Sequence, residues 1–122
     1  MSYEMIKFDH SDHWSYRATL FAIEIIRWNK SPRLEDQTWN LYIYIDKGHP
    51  MYEEAKSWED AFDCTIELHG GCTYLKQMGD HVKIGCDYAH WGDEATRVLM
   101  DMYKHPVYYD ALELIERLNH GN

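Results

Sequence analysis

Two short stretches of this chain carry residues whose types and spacing could do chemistry, Glu67 to Tyr74 and Gly85 to Asp93. In the first, Glu67 and His69 stand two apart, which puts them on one face of an extended segment. A carboxylate that orients an imidazole makes it a general base, so Glu67, or Asp87 from a neighbouring strand, beside His69 would form a minimal hydrolytic dyad. The competing reading is a histidine that fixes the turn by bonding backbone groups. No serine nucleophile accompanies the pair, and Cys72 beside the Gly70–Gly71 turn is a weak thiolate candidate. In the second stretch Asp87, His90 and Asp93 recur at intervals of three. With His69 they would make a two-histidine, two-carboxylate set for a divalent ion such as zinc. Asp93 is equally accounted for as a helix cap, and Cys64, Cys72 and Cys86 lack the paired spacing of a structural zinc site. No metal site is assigned, and no cofactor is expected.

The elements that must position these groups are read from periodicity. Trp39 to Asp46 alternates Leu41, Ile43 and Ile45 with Asn40, Tyr42 and Tyr44, the clearest strand in the chain. Cys64, Ile66 and Leu68 alternate in the same way, and the segments Cys72–Lys76 and His81–Asp87 complete an expected antiparallel meander. Trp14, Ala18, Phe21, Ala22, Ile25 and Trp28 recur at spacings of three and four, predicting a helix that starts at Ser11 or Asp12; a rival strand reading uses Phe21, Ile23 and Ile25. Two further helices are expected. One is capped by Asp93, buries Ala95, Val98, Leu99 and Met102, and stops near His105. The other begins at Pro106, with a stripe of Ala111, Leu114, Ile115 and Leu118 and Gly121 past its end. Together these predict one α+β domain over residues 1–122, an antiparallel four-stranded sheet with helices packed on one face in two layers.

Strand alternation sends the polar set outward together: Tyr42, Tyr44, Asp46, Thr65, Glu67, His69, Lys83, Gly85 and Asp87. Two rings, a glycine that leaves room above the backbone and convergent hydrogen-bonding groups suit a planar polar ligand such as a nucleobase or nucleotide. A plain solvated sheet face, with tyrosine favoured for its strand propensity, is the alternative. His49, between Gly48 and Pro50, either reaches over a pocket edge or ends the strand.

Composition narrows the partners. Twelve basic against 21 acidic side chains give a formal charge of −9, which excludes a surface built to hold phosphate backbones. An acidic interaction protein that covers a basic partner's nucleic-acid site stays open. Ten tyrosines and five tryptophans exceed what a small core needs, so some of these rings are expected to do recognition. Three cysteines cannot all pair within one chain, no apolar leader precedes Met5–Phe8, and no apolar run is long enough to span a bilayer; a reduced, cytoplasmic protein without a membrane partner is expected.

Three segments taken in order, Gly48-His49-Pro50, His69-Gly70-Gly71-x-Thr73-Tyr74 and Gly85-x-Asp87-x-Ala89-His90-x-Gly92-Asp93, carry a resemblance over about residues 39–93. The chain resembles a family of small phage and prophage proteins that show these motifs and have no assigned activity. The resemblance implies an accessory protein in the cytoplasm of a bacterial host, of the kind that counters host defence by sequestering or cleaving a nucleotide signal or by blocking a nucleic-acid-handling enzyme. The leading expectation is a protein that binds a small polar, nucleotide-like ligand on an open sheet face. Tyr42, Tyr44 and Tyr74 would stack on it. His49, His69, His90, Thr73 and the Gly70–Gly71 amides would meet its oxygens, with Asp87 and Asp93 as acceptors or orienting groups. The alternative is a hydrolase of a phosphoester or glycosidic bond in which His69, His90 and Asp87 are catalytic. Few cations stand nearby. A phosphate-bearing ligand would need Lys76, Lys83 or Arg97 turned inward, or a basic group from a second copy of the chain in a homo-oligomer.

Overall fold

Alternation, more than helical periodicity, decides how the chain folds. A computed structural model of the protein describes residues 4–8, 11–29, 37–90, 92–97 and 99–120, with the backbone alone for 4–8, 11, 12 and 29. Strand β1 (Glu4–Phe8) pairs antiparallel with β2 (Ser11–Arg17), and β2 with β3 (Phe21–Asn29). The β2–β3 turn is closed by the Ala18 N–H, which donates to Phe21 O at 2.8 Å. The helix expected from Ser11 onward is therefore a β-hairpin. Trp14, Phe21 and Ile25 satisfy both periods, but Ile23, Ile25 and Ile26 lose side-chain freedom in a helix and pack well on a pleated surface. Phe21, Ile23 and Ile25 are buried, and the intervening Ala22 and Glu24 face the other way.

Strand β4 (Gln37–Asp46) is the expected strand, begun two residues earlier, with Trp39, Leu41, Ile43 and Ile45 buried. Strands β5 (Tyr74–Gln77) and β6 (His81–Asp87) form the second hairpin. Among the described residues the sheet has six strands, all antiparallel, in the order β1-β2-β3-β4-β6-β5, rather than four. The expected strand at Cys64–Leu68 is a loop. Ile66 and Leu68 alternate because both dip into the core as the chain crosses it, while pairing at that edge of the sheet starts only with Tyr74 opposite Gly85.

One face of the sheet carries the core, with Val82, Ile84 and Cys86 of β6 beside the β3 and β4 residues. Each isoleucine taken from water there contributes roughly 1.5–3 kcal/mol. Helix α3 (Pro106–Asn119) lies over this face and buries Val107, Ala111, Leu114, Ile115 and Leu118, as its stripe predicts. His105 caps it by accepting the Val107 N–H on Nδ1 at 3.0 Å. A short helix α1 (Tyr52–Ala55) adds Tyr52 and Ala55 to the same layer.

The helix expected after Asp93 is cut short. Only α2 (Glu94–Arg97) is helical, and a 3₁₀ turn over residues 102–104, capped by Asp101, follows it. The buried Gln37 amide donates to the carbonyls of Arg97 and Leu99 at 2.8 and 2.7 Å, and the Trp39 indole donates to Leu99 O at 3.1 Å. Those carbonyls anchor the segment to the end of the sheet instead of continuing a helix. Ala95 is exposed rather than buried. The turn-prone residues 30–32, Val98 and Gly121 lie outside the described residues. Among the described residues no helix is long and apolar enough to cross a membrane.

Candidate functional site

The loop that carries His69 turns back at Gly70 and Gly71, whose φ angles of 67° and 89° favour glycine. Gly70 is required twice over. A Cβ there would lie 2.4 Å from the His90 imidazole, so the absent side chain is what lets His90 pack on this turn. His90 follows β6 on the segment running from Asp87 to Asp93, and the His69 and His90 ring centroids are 5.9 Å apart.

Asp93 is the residue that holds His69. Its carboxylate oxygens are 2.9 and 3.1 Å from His69 Nε2, and its Oδ2 also accepts the His90 N–H at 2.9 Å. Burial raises the Asp93 carboxyl, but the hydrogen bonds from His69 and from the His90 backbone outweigh it and hold the group below its ordinary value of 3.8. A carboxylate can only accept, so Nε2 carries a hydrogen, and in the neutral ring Nδ1 bears the lone pair. The ring is stacked on Tyr88, with centroids 4.3 Å apart and planes 10° from parallel. Tyr88 is itself buried, and its hydroxyl donates to Asp110 of α3 at 2.5 Å. Burial pushes the Tyr88 phenol well above its usual range. Asp93 stands at the N-terminal end of α2, as expected, where its carbonyl accepts the Arg97 N–H at 3.0 Å, while its carboxylate orients His69.

His69 borders a cavity of about 270 Å³ between its loop and α3. Leu41, Leu68 and Leu114 supply its apolar wall, and Glu67, Asp110, Glu113 and Arg117 its polar one. Sequence reasoning missed Tyr88, Asp110, Glu113 and Arg117. The three α3 residues are spaced by three and four, a polar stripe beside the apolar one that periodicity could have revealed.

Asp87 belongs to an adjoining arm of the same cluster. Its Oδ1 accepts the Ala89 N–H at 3.1 Å and lies 3.4 Å from His90 Nε2, and its Oδ2 accepts the Thr73 hydroxyl at 3.3 Å. His69, Gly70, Thr73, Asp87, His90 and Asp93 are therefore gathered in one place. Among the described residues no three histidine, cysteine or acidic side chains converge as metal ligands would. The Gly71 amide donates to Leu68 O at 2.9 Å, so it serves the turn rather than a ligand.

The tyrosines lie on the sheet face turned away from the core, the face that Asp87 shares at its end of β6. Tyr42 pairs with Gly85 across the β4–β6 ladder, and its ring fills the space above that glycine, where a Cβ would come within 2.4 Å. The room expected for a planar ligand is taken. Tyr42 and Tyr74 meet edge to face at 5.4 Å, and the Lys83 ammonium lies 4.4, 5.1 and 5.4 Å from the Tyr42, Tyr44 and Tyr74 rings. Tyr44 donates to Glu24 at 3.0 Å. These rings enclose the protein's own cation. His49 stands apart from both groups, buried against Phe21. Its Nδ1 accepts the Met51 N–H at 3.0 Å and its Nε2 is 2.9 Å from Leu118 O, so it ties the strand-ending turn to α3, and it also lines a second cavity of about 370 Å³ beside Phe21 and Leu118.

Comparison with protein-family models finds no match, and comparisons with curated proteins and with solved structures find no significant match.

Proposed function

We propose that this protein binds a small polar ligand in the cavity between the His69 loop and α3, with the Nδ1 atom of His69 accepting a proton or hydrogen bond from it. The observation that carries this reading is the His69–Asp93 pair at the cavity wall, its tautomer fixed on one side and its ring braced by Tyr88 on the other. The volume suits a nucleoside-sized molecule or smaller, at the low end of ligand pockets. Charge refines the class. Glu67, Asp110 and Glu113 face a single Arg117, which disfavours a polyphosphate and favours a neutral or cationic polar heterocycle such as a nucleobase or nucleoside. The motif resemblance supports a phage accessory role in which such a molecule is sequestered.

A second reading is favoured by the same imidazole. A buried carboxylate bonded to one ring nitrogen is how a histidine is prepared as a general base. None of the residues lining the cavity is a serine, threonine or cysteine, so water would be the nucleophile in a hydrolysis. Calorimetric titration with nucleobases, nucleosides and nucleoside monophosphates, followed by chromatography of the recovered ligand, tests both. Binding that is lost in His69→Ala and spared in Tyr42→Ala supports the cavity. Products that accumulate support hydrolysis. Binding that survives His69→Ala and fails in Tyr42→Ala moves the site to the sheet face and overturns the proposal.

A further inference from the structure

Phe62 is the most exposed large hydrophobic residue among those described, at 97%. It stands on a short 3₁₀ turn, Ala61–Asp63, whose backbone is held by side chains at both ends. The Asp60 carboxylate accepts the Phe62 N–H at 2.9 Å, and the Asp63 carboxylate accepts the N–H groups of Glu59 and Asp60 at 2.9 and 3.2 Å. The buried Trp58 just before it accepts the Gln77 amide on its carbonyl at 3.0 Å, which ties the approach to β5. A ring carried on a backbone already ordered costs less entropy to dock than one on a loose loop.

The same chain carries a receptacle for such a ring. The second cavity, of about 370 Å³, has Tyr16, Leu20, Phe21 and Leu118 in its walls, room enough for a phenyl group. His49 lines it too, but both its ring nitrogens are engaged, by the Met51 N–H and by Leu118 O, so it offers a polar ligand no free imidazole nitrogen. Charge agrees with the pairing. Phe62 is flanked by the exposed acids Glu59, Asp60 and Asp63, whereas the cavity is flanked by the exposed cations Arg17, which also pairs with Asp46, and Lys47. Lys47 is placed at its edge by its neighbours: the Asp46 N–H donates to Leu20 O at 3.0 Å, and a Cβ on Gly48 would lie 3.4 Å from the Leu20 side chain. A formal charge of −9 repels two copies at a distance, so a contact between them has to set acids against cations.

We propose that the protein self-associates, with the Phe62 ring of one copy seated in the cavity beside Leu20 and Leu118 of another and the acids around Phe62 facing Arg17 and Lys47. Phe62 is the anchor of this interface and the charges form its rim. Every copy presents both halves. Two copies related by a two-fold axis make the contact twice, and without that axis the contact leads on to longer assemblies. The cavity beside His69 is lined by other residues, so the association does not depend on the ligand assigned there.

The test uses the whole chain. Sedimentation over a concentration series is expected to give the parent a mean mass that rises above the monomer; a parent still monomeric at about 1 mM overturns the proposal. Phe62→Ala is expected to weaken association roughly thirtyfold or more, the effect of removing an interface anchor. Leu20→Glu, which sets an acid in the cavity wall, is expected to do the same. The first variant keeps the cavity and the second keeps the ring, so their equimolar mixture is expected to associate more strongly than either alone. A mixture no heavier than its components, or undiminished association in Phe62→Ala, overturns the pairing. Photo-crosslinking keeps the test independent of whether Leu20→Glu folds. With benzoylphenylalanine at position 62 and one copy isotopically labelled, tryptic peptide 57–76 is expected to link to cavity residues of the other copy, peptide 18–27 foremost. Links confined to residues outside the cavity overturn the proposal.

Discussion

The imidazole of His69 and the carboxylate of Asp93, twenty-four positions apart in the chain, meet at 2.9 Å beside the cavity. The same carboxylate accepts the His90 N–H, so one buried group fixes both the tautomer of His69 and the path of the chain leaving β6. Asp93→Asn keeps the shape and loses one acceptor, leaving a buried donor unpaired at a cost of about 1–3 kcal/mol. Urea unfolding measures that cost. Nitrogen NMR is expected to report a single His69 tautomer, protonated at Nε2, in the parent and a mixture in the variant, because a carboxamide can either donate or accept. An unmixed Nε2–H form in Asp93→Asn would mean that something other than Asp93 sets the tautomer.

The two glycines of the His69 turn separate backbone strain from crowding. Both have positive φ, but only at Gly70 would a side chain collide with His90, while the space around Gly71 is open. Gly71→Ala is expected to cost about 1–2 kcal/mol from the left-handed backbone alone. Gly70→Ala adds an overlap that displaces His90 from Asp87, for a total of roughly 2–4 kcal/mol. Equal unfolding midpoints for the two variants would show that His90 moves aside freely.

Acid stability is expected to fall in two steps. His105 is wholly buried, its Nδ1 occupied by the Val107 N–H and its ring stacked on Trp39 at 4.7 Å. Burial brings its pKa from 6.5 down to about 4, with Asp93 opposing the shift and His69 adding to it. Below pH 6.5 the unfolded chain gains a proton at this position that the folded chain refuses. Stability is therefore complete above that pH and declines until pH 4, by up to about 3 kcal/mol. The Asp93 carboxyl, held below 3.8, acts later: its contribution is lost as pH falls through its folded value. His105→Asn, which retains a capping oxygen, should flatten the first decline and leave the second. A first decline of unchanged size in that variant would assign it to another group.

How much of this was legible in the chain depended on whether one period or two fitted a segment. Leu41, Ile43 and Ile45 fit only a strand and Ala111, Leu114, Ile115 and Leu118 only a helix, and both elements form as read. Trp14, Phe21 and Ile25 fit both, and there the strand partners on either side decided. The clustering of His69, Asp87, His90 and Asp93 followed from motif order. Which carboxylate reaches His69 did not, because that is set by the Gly70–Gly71 turn and by the single turn of α2. The packing on the sheet face was hidden for a different reason: Tyr42 lies over Gly85 and Lys83 over the tyrosines, a filling that side-chain alternation alone does not reveal.

Tyr88 is the link between His69 and α3, and its ring and its hydroxyl do different work. The ring is the platform for the imidazole, and the hydroxyl donates to Asp110 on the cavity wall. Tyr88→Phe keeps the platform and removes a hydrogen bond to a charged acceptor, an expected cost of roughly 1.5–3 kcal/mol in urea unfolding. The ring-current shifts of the His69 protons should persist in that variant, since the stack remains. Tyr88→Leu removes the stack as well, so those shifts should vanish and any ligand affinity that depends on His69 should fall further than in Tyr88→Phe. If Tyr88→Phe lowered affinity as much as Tyr88→Leu, the hydroxyl's hold on Asp110, rather than the brace beneath the imidazole, would be the feature that shapes the cavity.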